Sequence, residues 1–136
     1  VYNAERSETI KAVLMAGADR QTDNVSTTAD ITDYRSAGHQ TANGLDSRYG
    51  AGQVNVQNSY RIIAGGEQRS FQNGGGDIAS HGFDHGSVGG QNTAGRTRSY
   101  FFNTATQGEV TLFASLVWNL SVPNDGSILG ANAQQT

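Results

Sequence analysis

Two stretches of this sequence carry residue types that could do chemistry. His81-Gly82-Phe83-Asp84-His85 places two imidazoles and a carboxylate close together, the donor types of a transition-metal site. On a strand, His81 and His85 share a face and Asp84 points away, a poor geometry for three ligands. In a glycine-flanked loop the three could converge on a metal. The competing reading is a polar loop anchored by Phe83. The second set is Asp19, Asp23, Asp30 and Asp33, whose carboxylates are the hard oxygen ligands that Ca²⁺ takes. Their spacing is not that of an EF-hand loop, and the Gly-and-Glu frame is missing, so calcium competes with a solvated acidic loop.

Other chemistries find less support. A hydrolytic dyad can assemble from distant positions, but nothing local favours one around His39, His81 or His85. Phosphate cradling by Gly74-Gly75-Gly76 fails, because Asp77 follows in place of Lys-Ser/Thr and no helix comes next. Trp118 and Tyr100-Phe101-Phe102 could form a sugar platform, the basis of a carbohydrate-binding alternative, yet Trp118 falls on the apolar face of its expected strand and reads as core. Asn24-Val25-Ser26 and Asn119-Leu120-Ser121 are formal glycosylation acceptors.

Composition narrows the classes. The chain has 136 residues, 18 of them glycine, and no cysteine. That excludes disulfide scaffolds, Cys-ligated zinc and thiol catalysis. The net charge of −3 leaves no basic stripe for phosphates, so no nucleic-acid partner is expected. No apolar run approaches the ~20 residues of a membrane-spanning helix. Lys11 is the single lysine among nine basic residues, and Asn, Gln, Ser and Thr make up a third of the chain. This balance suits a protein that is secreted or held at the cell surface. The first residues show no signal peptide and no initiator Met, as expected of a chain processed or cut from something longer.

The elements that must position these residues fall into two parts. Ile10, Val13, Leu14 and Ala18 recur at helical spacing, which predicts a helix over residues 5–16, capped by Ser7 or Asn3 and stopped by Gly17. Residues 19–53 are irregular, a length of connection that is usually functional or packed on a larger body. Val56, Tyr60, Ile63 and Ala64 predict a second helix, with Asn55 as N-cap and Gly65-Gly66 at its end. From residue 67 the pattern turns to β. A short strand is expected near 78–83 and another over 98–103. A third, over 109–120, carries alternating Val110, Leu112, Ala114, Leu116, Trp118 and Leu120, joined through a hairpin at 105–108. A sandwich needs about seven strands, and three or four are visible. The expected fold is therefore α+β: an N-terminal helix pair with long loops over 1–66, then a jelly-roll-like antiparallel β-sandwich over 67–136, incomplete within the chain.

The run from Glu8 to Ala18 resembles the helix after the nucleophile region of subtilisin-like serine peptidases, with its x-I-K-A-x-L-x-x-x-A pattern. Gly50-Ala51-Gly52-Gln53-Val54-Asn55 is similar to the family's following G-x-G-x-V-N. Leu112 to Asn119 is similar to the L-x-x-x-L-x-W strand of the sandwich that often follows that catalytic domain. The resemblance implies the end of a peptidase body joined to the start of its sandwich. The family's D-[ST]-G, H-G-T-x-V-A and G-T-S-M-[AS] motifs are absent, so it assigns no catalytic residue here.

Three functions follow as expectations. The first is a non-catalytic, stabilising or attaching piece of an exported subtilisin-like protein, partnered by the rest of its parent chain. The second is an extracellular assembly subunit whose copies complete the sandwich by strand exchange. The third, weaker, is the carbohydrate-binding module.

Overall fold

The computed structural model describes residues 3–88, 97–104 and 110–119. Helix α1 spans Ser7–Gly17 and helix α2 spans Val56–Ala64. Single 3₁₀ turns occur at Thr27–Ala29 and Phe71–Asn73. Good helix formers (Glu8, Lys11, Ala12, Leu14, Met15, Ala16) fill α1, and its buried stripe is Thr9, Val13 and Gly17, one residue per turn.

The expected caps of α1 do not form. Arg6 occupies the N-cap without a side-chain bond, while the Ser7 hydroxyl donates to Glu8 at 3.1 Å. Asn3 accepts from Arg6 Nε at 3.1 Å and donates to Glu67 at 2.6 Å. At the other end, Gly17 is not a left-handed cap, because the chain leaves α1 through an extended Ala18. The exposed carbonyls are met instead by Arg20, which donates to Ala18 O at 3.2 Å and Met15 O at 3.3 Å.

Helix α2 starts and stops where its sequence signals lie. The Asn55 side chain accepts from Asn58 N at 3.0 Å, satisfying one of the free N–H groups of the first turn. Gly65 N donates to Arg61 O at 2.9 Å, and Gly66 leaves the helix at φ 81°. Among the described residues the buried hydrophobics are Val13, Ala18, Ile31 and Phe83.

The β-sandwich expected over 67–136 is overturned: the described residues contain no β-strand. Pairing is confined to isolated bridges, among them Glu67 with Phe83 and Asp77 with Phe101. Segment 97–104 meets 71–78 through single bonds (Phe71 N to Ser99 O at 2.8 Å, Ile78 N to Phe101 O at 2.7 Å) and an edge-on Phe71–Phe101 ring contact at 5.4 Å. Residues 110–119 form no backbone ladder with any described residue. Alternation makes a strand only where a neighbour supplies that ladder, and without one the apolar face stays open. Leu116 is 79% exposed, and Trp118, expected in a core, is 64% exposed. Strand exchange accordingly has no sheet to extend among the described residues. The hairpin at 105–108 and the glycosylation acceptor running through Ser121 lie outside the described residues.

Contacts also join the parts divided at residue 66. Asn3 bonds Glu67, Asn119 bonds Glu8, and the Arg20 guanidinium lies 4.3 Å from the Phe113 ring.

Candidate functional site

The best-defined construction is the junction of α1 with α2. Gly17 lies so close to α2 that a Cβ there would stand 2.8 Å from Ser59 Oγ and 2.9 Å from Ser59 N. Beyond Gly17, Asp19 and Gln53 exchange backbone bonds of 2.8 and 2.9 Å. Gly52 permits this approach at φ +117°, since a Cβ there would meet Asp19 O at 2.3 Å. The Asp19 carboxylate then takes Asn55 Nδ2 at 2.8 Å and Asn58 Nδ2 at 3.4 Å. One acid thus ties the exit of α1 to the entry of α2.

Locking the helices in this way leaves an apolar groove of about 220 Å³ between them, lined by Ile10, Val13, Leu14, Val56, Tyr60 and Ile63. Of these apolar residues only Val13 is buried. Ile10 is 46% exposed, Tyr60 69% and Val56 74%. These residues sit at i, i+3, i+4 on α1 and i, i+4, i+7 on α2, the positions a helix presents to a partner.

A second rigid point holds the long loop. Asp46, with its side chain fully buried, accepts from Arg35 N at 2.6 Å, Arg48 N at 2.7 Å and Tyr49 N at 3.2 Å. Arg48 bridges it to Asp33, each contact at 3.2 Å. Burial raises the Asp46 pKa, but the Arg48 side chain and these N–H groups outweigh it and hold the carboxyl far below the usual carboxylate range. The same Arg48 bond lowers Asp33.

The expected metal ligands are dispersed among these structural tasks. Asp19 belongs to the helix junction, and Asp30 accepts from Asn24 N. Asp33 pairs with Arg48, and Asp23 is exposed. In the histidine stretch, Phe83 is buried and bonded to Gly66 O and Gln68 N. His81 is exposed beside the Ser80 hydroxyl at 3.0 Å. Asp84 accepts from Tyr100 Oη at 2.7 Å. Burial, followed by that bond, pushes the Tyr100 phenol up to about 12. His85 joins neither. Among the described residues no three His, Asp or Glu side chains are grouped to hold a metal ion.

Sequence reasoning assigned no structural role to Asp46, Arg48, Arg20 or Arg35. A signal existed for the first pair: an Asp whose carboxylate receives the N–H two residues on is an Asx turn, and Asp46-Ser47-Arg48 has the residues for it. Nothing in the spacing marks the two other arginines.

Comparison with known protein families, with curated proteins and with solved structures gives no match to this chain. No helix among the described residues is long and apolar enough to cross a membrane.

Proposed function

We propose that this chain is a non-catalytic part of an exported subtilisin-like protein, and that its helix pair docks on the remainder of the parent chain through the groove between α1 and α2. The observation that carries the reading is that groove: a packed helix pair whose apolar face no described residue covers. Full burial of a Val, Leu or Ile side chain contributes about 1.5–3 kcal/mol, and the exposed parts of Ile10, Leu14 and Val56 would each add a fraction of that on a complementary surface, before the costs of association.

The resemblance supports the same reading. Its first two motif stretches meet in space, with Gly17 and Gly52 at the two close approaches and Asn55 capping the second helix. Gly52 and Asn55 of the second motif therefore have a structural reason to be there. The absence of all three triad motifs makes the role stabilisation or attachment rather than peptide hydrolysis.

The test is the reading frame that encodes Val1. A Gly-Thr-Ser-Met run encoded a short distance upstream agrees with the proposal. An unrelated upstream sequence contradicts it, as does casein hydrolysis by the purified chain that a serine-directed inhibitor abolishes.

A further inference from the structure

A second pocket, of about 440 Å³, is lined by Arg20, Tyr34, Arg35, Leu112, Phe113 and Ala114, with Gly44 beside them. Its volume falls in the range of small-molecule sites. Two guanidiniums line it and no carboxylate does. The nearby acids Asp33 and Asp46 both spend their charge on Arg48.

Each arginine is held in place. The Arg20 guanidinium lies 4.3 Å from the Phe113 ring and 5.7 Å from that of Tyr34. Its bonds to Ala18 O and Met15 O use two of its five N–H groups. Tyr34 is itself fixed by donating to Gly50 O at 2.7 Å. Arg35 has the left-handed φ of 55°, pinned by Arg35 N to Asp46 at 2.6 Å and by Gln40 Nε2 to Arg35 O at 2.9 Å. Its Nε is buried with no hydrogen-bond partner among the described residues.

A buried donor on a charged group is costly to leave unpaired, and a left-handed arginine adds backbone strain. Both costs fall on one pocket residue, and because its Nε has no accessible surface a ligand would meet Arg35 at the two terminal nitrogens. A planar fork, a second cation and an apolar wall are complementary to a carboxylate carried on a hydrocarbon body. We infer that this pocket binds a small organic carboxylate, its charge on Arg35 and Arg20 and its hydrocarbon against Leu112 and Phe113. The site is separate from the helix groove and stands or falls without it.

Calorimetric titration of the whole chain with benzoate, benzamide and inorganic phosphate tests the assignment. Benzoate is expected to saturate and to bind at least about tenfold more tightly than neutral benzamide or inorganic phosphate. Arg20→Gln and Arg35→Asn, the latter chosen because Asn tolerates a left-handed backbone, should each weaken benzoate by about tenfold while the circular dichroism spectrum is retained. Benzamide binding as well as benzoate, or no saturation by benzoate, overturns the proposal on the unmodified chain alone. Phosphate binding as tightly as benzoate overturns the organic-acid assignment. Undiminished benzoate binding by both folded variants overturns the role of the arginines.

Discussion

Gly17 of α1 rests against the backbone of Ser59 in α2, with no room for a Cβ between them. Two effects oppose each other when alanine is placed there. Helix propensity favours Ala over Gly by about 1 kcal/mol, whereas forcing a methyl into a close-packed contact costs about 1–3 kcal/mol. The nearest atoms include backbone, which cannot rotate aside, so the clash wins. Gly17→Ala should lower the urea midpoint. Adding Ser59→Ala should recover part of the loss, since it removes Oγ but leaves the amide. An unchanged or raised midpoint in the single variant would show that the helices do not cross this closely.

Asn55 serves two partners, the amide of Asn58 and the carboxylate of Asp19. Asn55→Ala loses both and should cost about 1–2 kcal/mol. Asn55→Ser retains a capping oxygen but is too short to reach Asp19, so it should cost less. Asn55→Asp retains the cap and sets a second negative charge beside Asp19, so it should be worse than Ser despite being an equally good cap. Ranking the three by chemical denaturation checks this; Asp equal to Ser would remove Asp19 from the junction.

Asp46 makes the stability of the long loop depend on pH. Its folded pKa is depressed relative to the unfolded value near 3.9. Its contribution is therefore fully present above that value and is lost as pH falls toward the folded pKa. Asp46→Asn should lower the melting temperature by about 5 °C or more at pH 6. The gap to the unmodified chain should narrow steadily below pH ~4. Melts of both proteins between pH 3 and pH 7 decide it, and a gap that stays constant across that range would count against the network.

Thr9 is buried, and its hydroxyl finds no partner among the described residues. Replacing an unpaired buried hydroxyl by a methyl of the same shape removes a desolvation cost. Thr9→Val should raise stability by about 1 kcal/mol. A loss of stability would reveal a partner for Oγ1.

How much of this was legible in the sequence differs sharply between its halves. Both helices could be read because their signals are local: Ile10, Val13 and Leu14 on one face, Asn55 before α2, Gly65-Gly66 after it. The reason for Gly17 was not legible, since a glycine at a helix end looks like a cap whether or not another helix crosses it. The alternation from Val110 to Trp118 predicted a strand, but strand formation depends on a neighbour that no local pattern specifies. The aspartates were legible as donors, while the side chains that would claim them, such as Arg48 for Asp33 and Asn55 for Asp19, lie 15 and 36 residues away.

The proposed docking face is open to a single measurement, hydroxyl-radical footprinting of Tyr60 and Leu14 in this chain and in the longer parent protein that the proposal requires. Both side chains should label readily in the chain alone and fall to background in the longer protein, where the groove between α1 and α2 is covered. Equal labelling in the two would contradict docking through that groove.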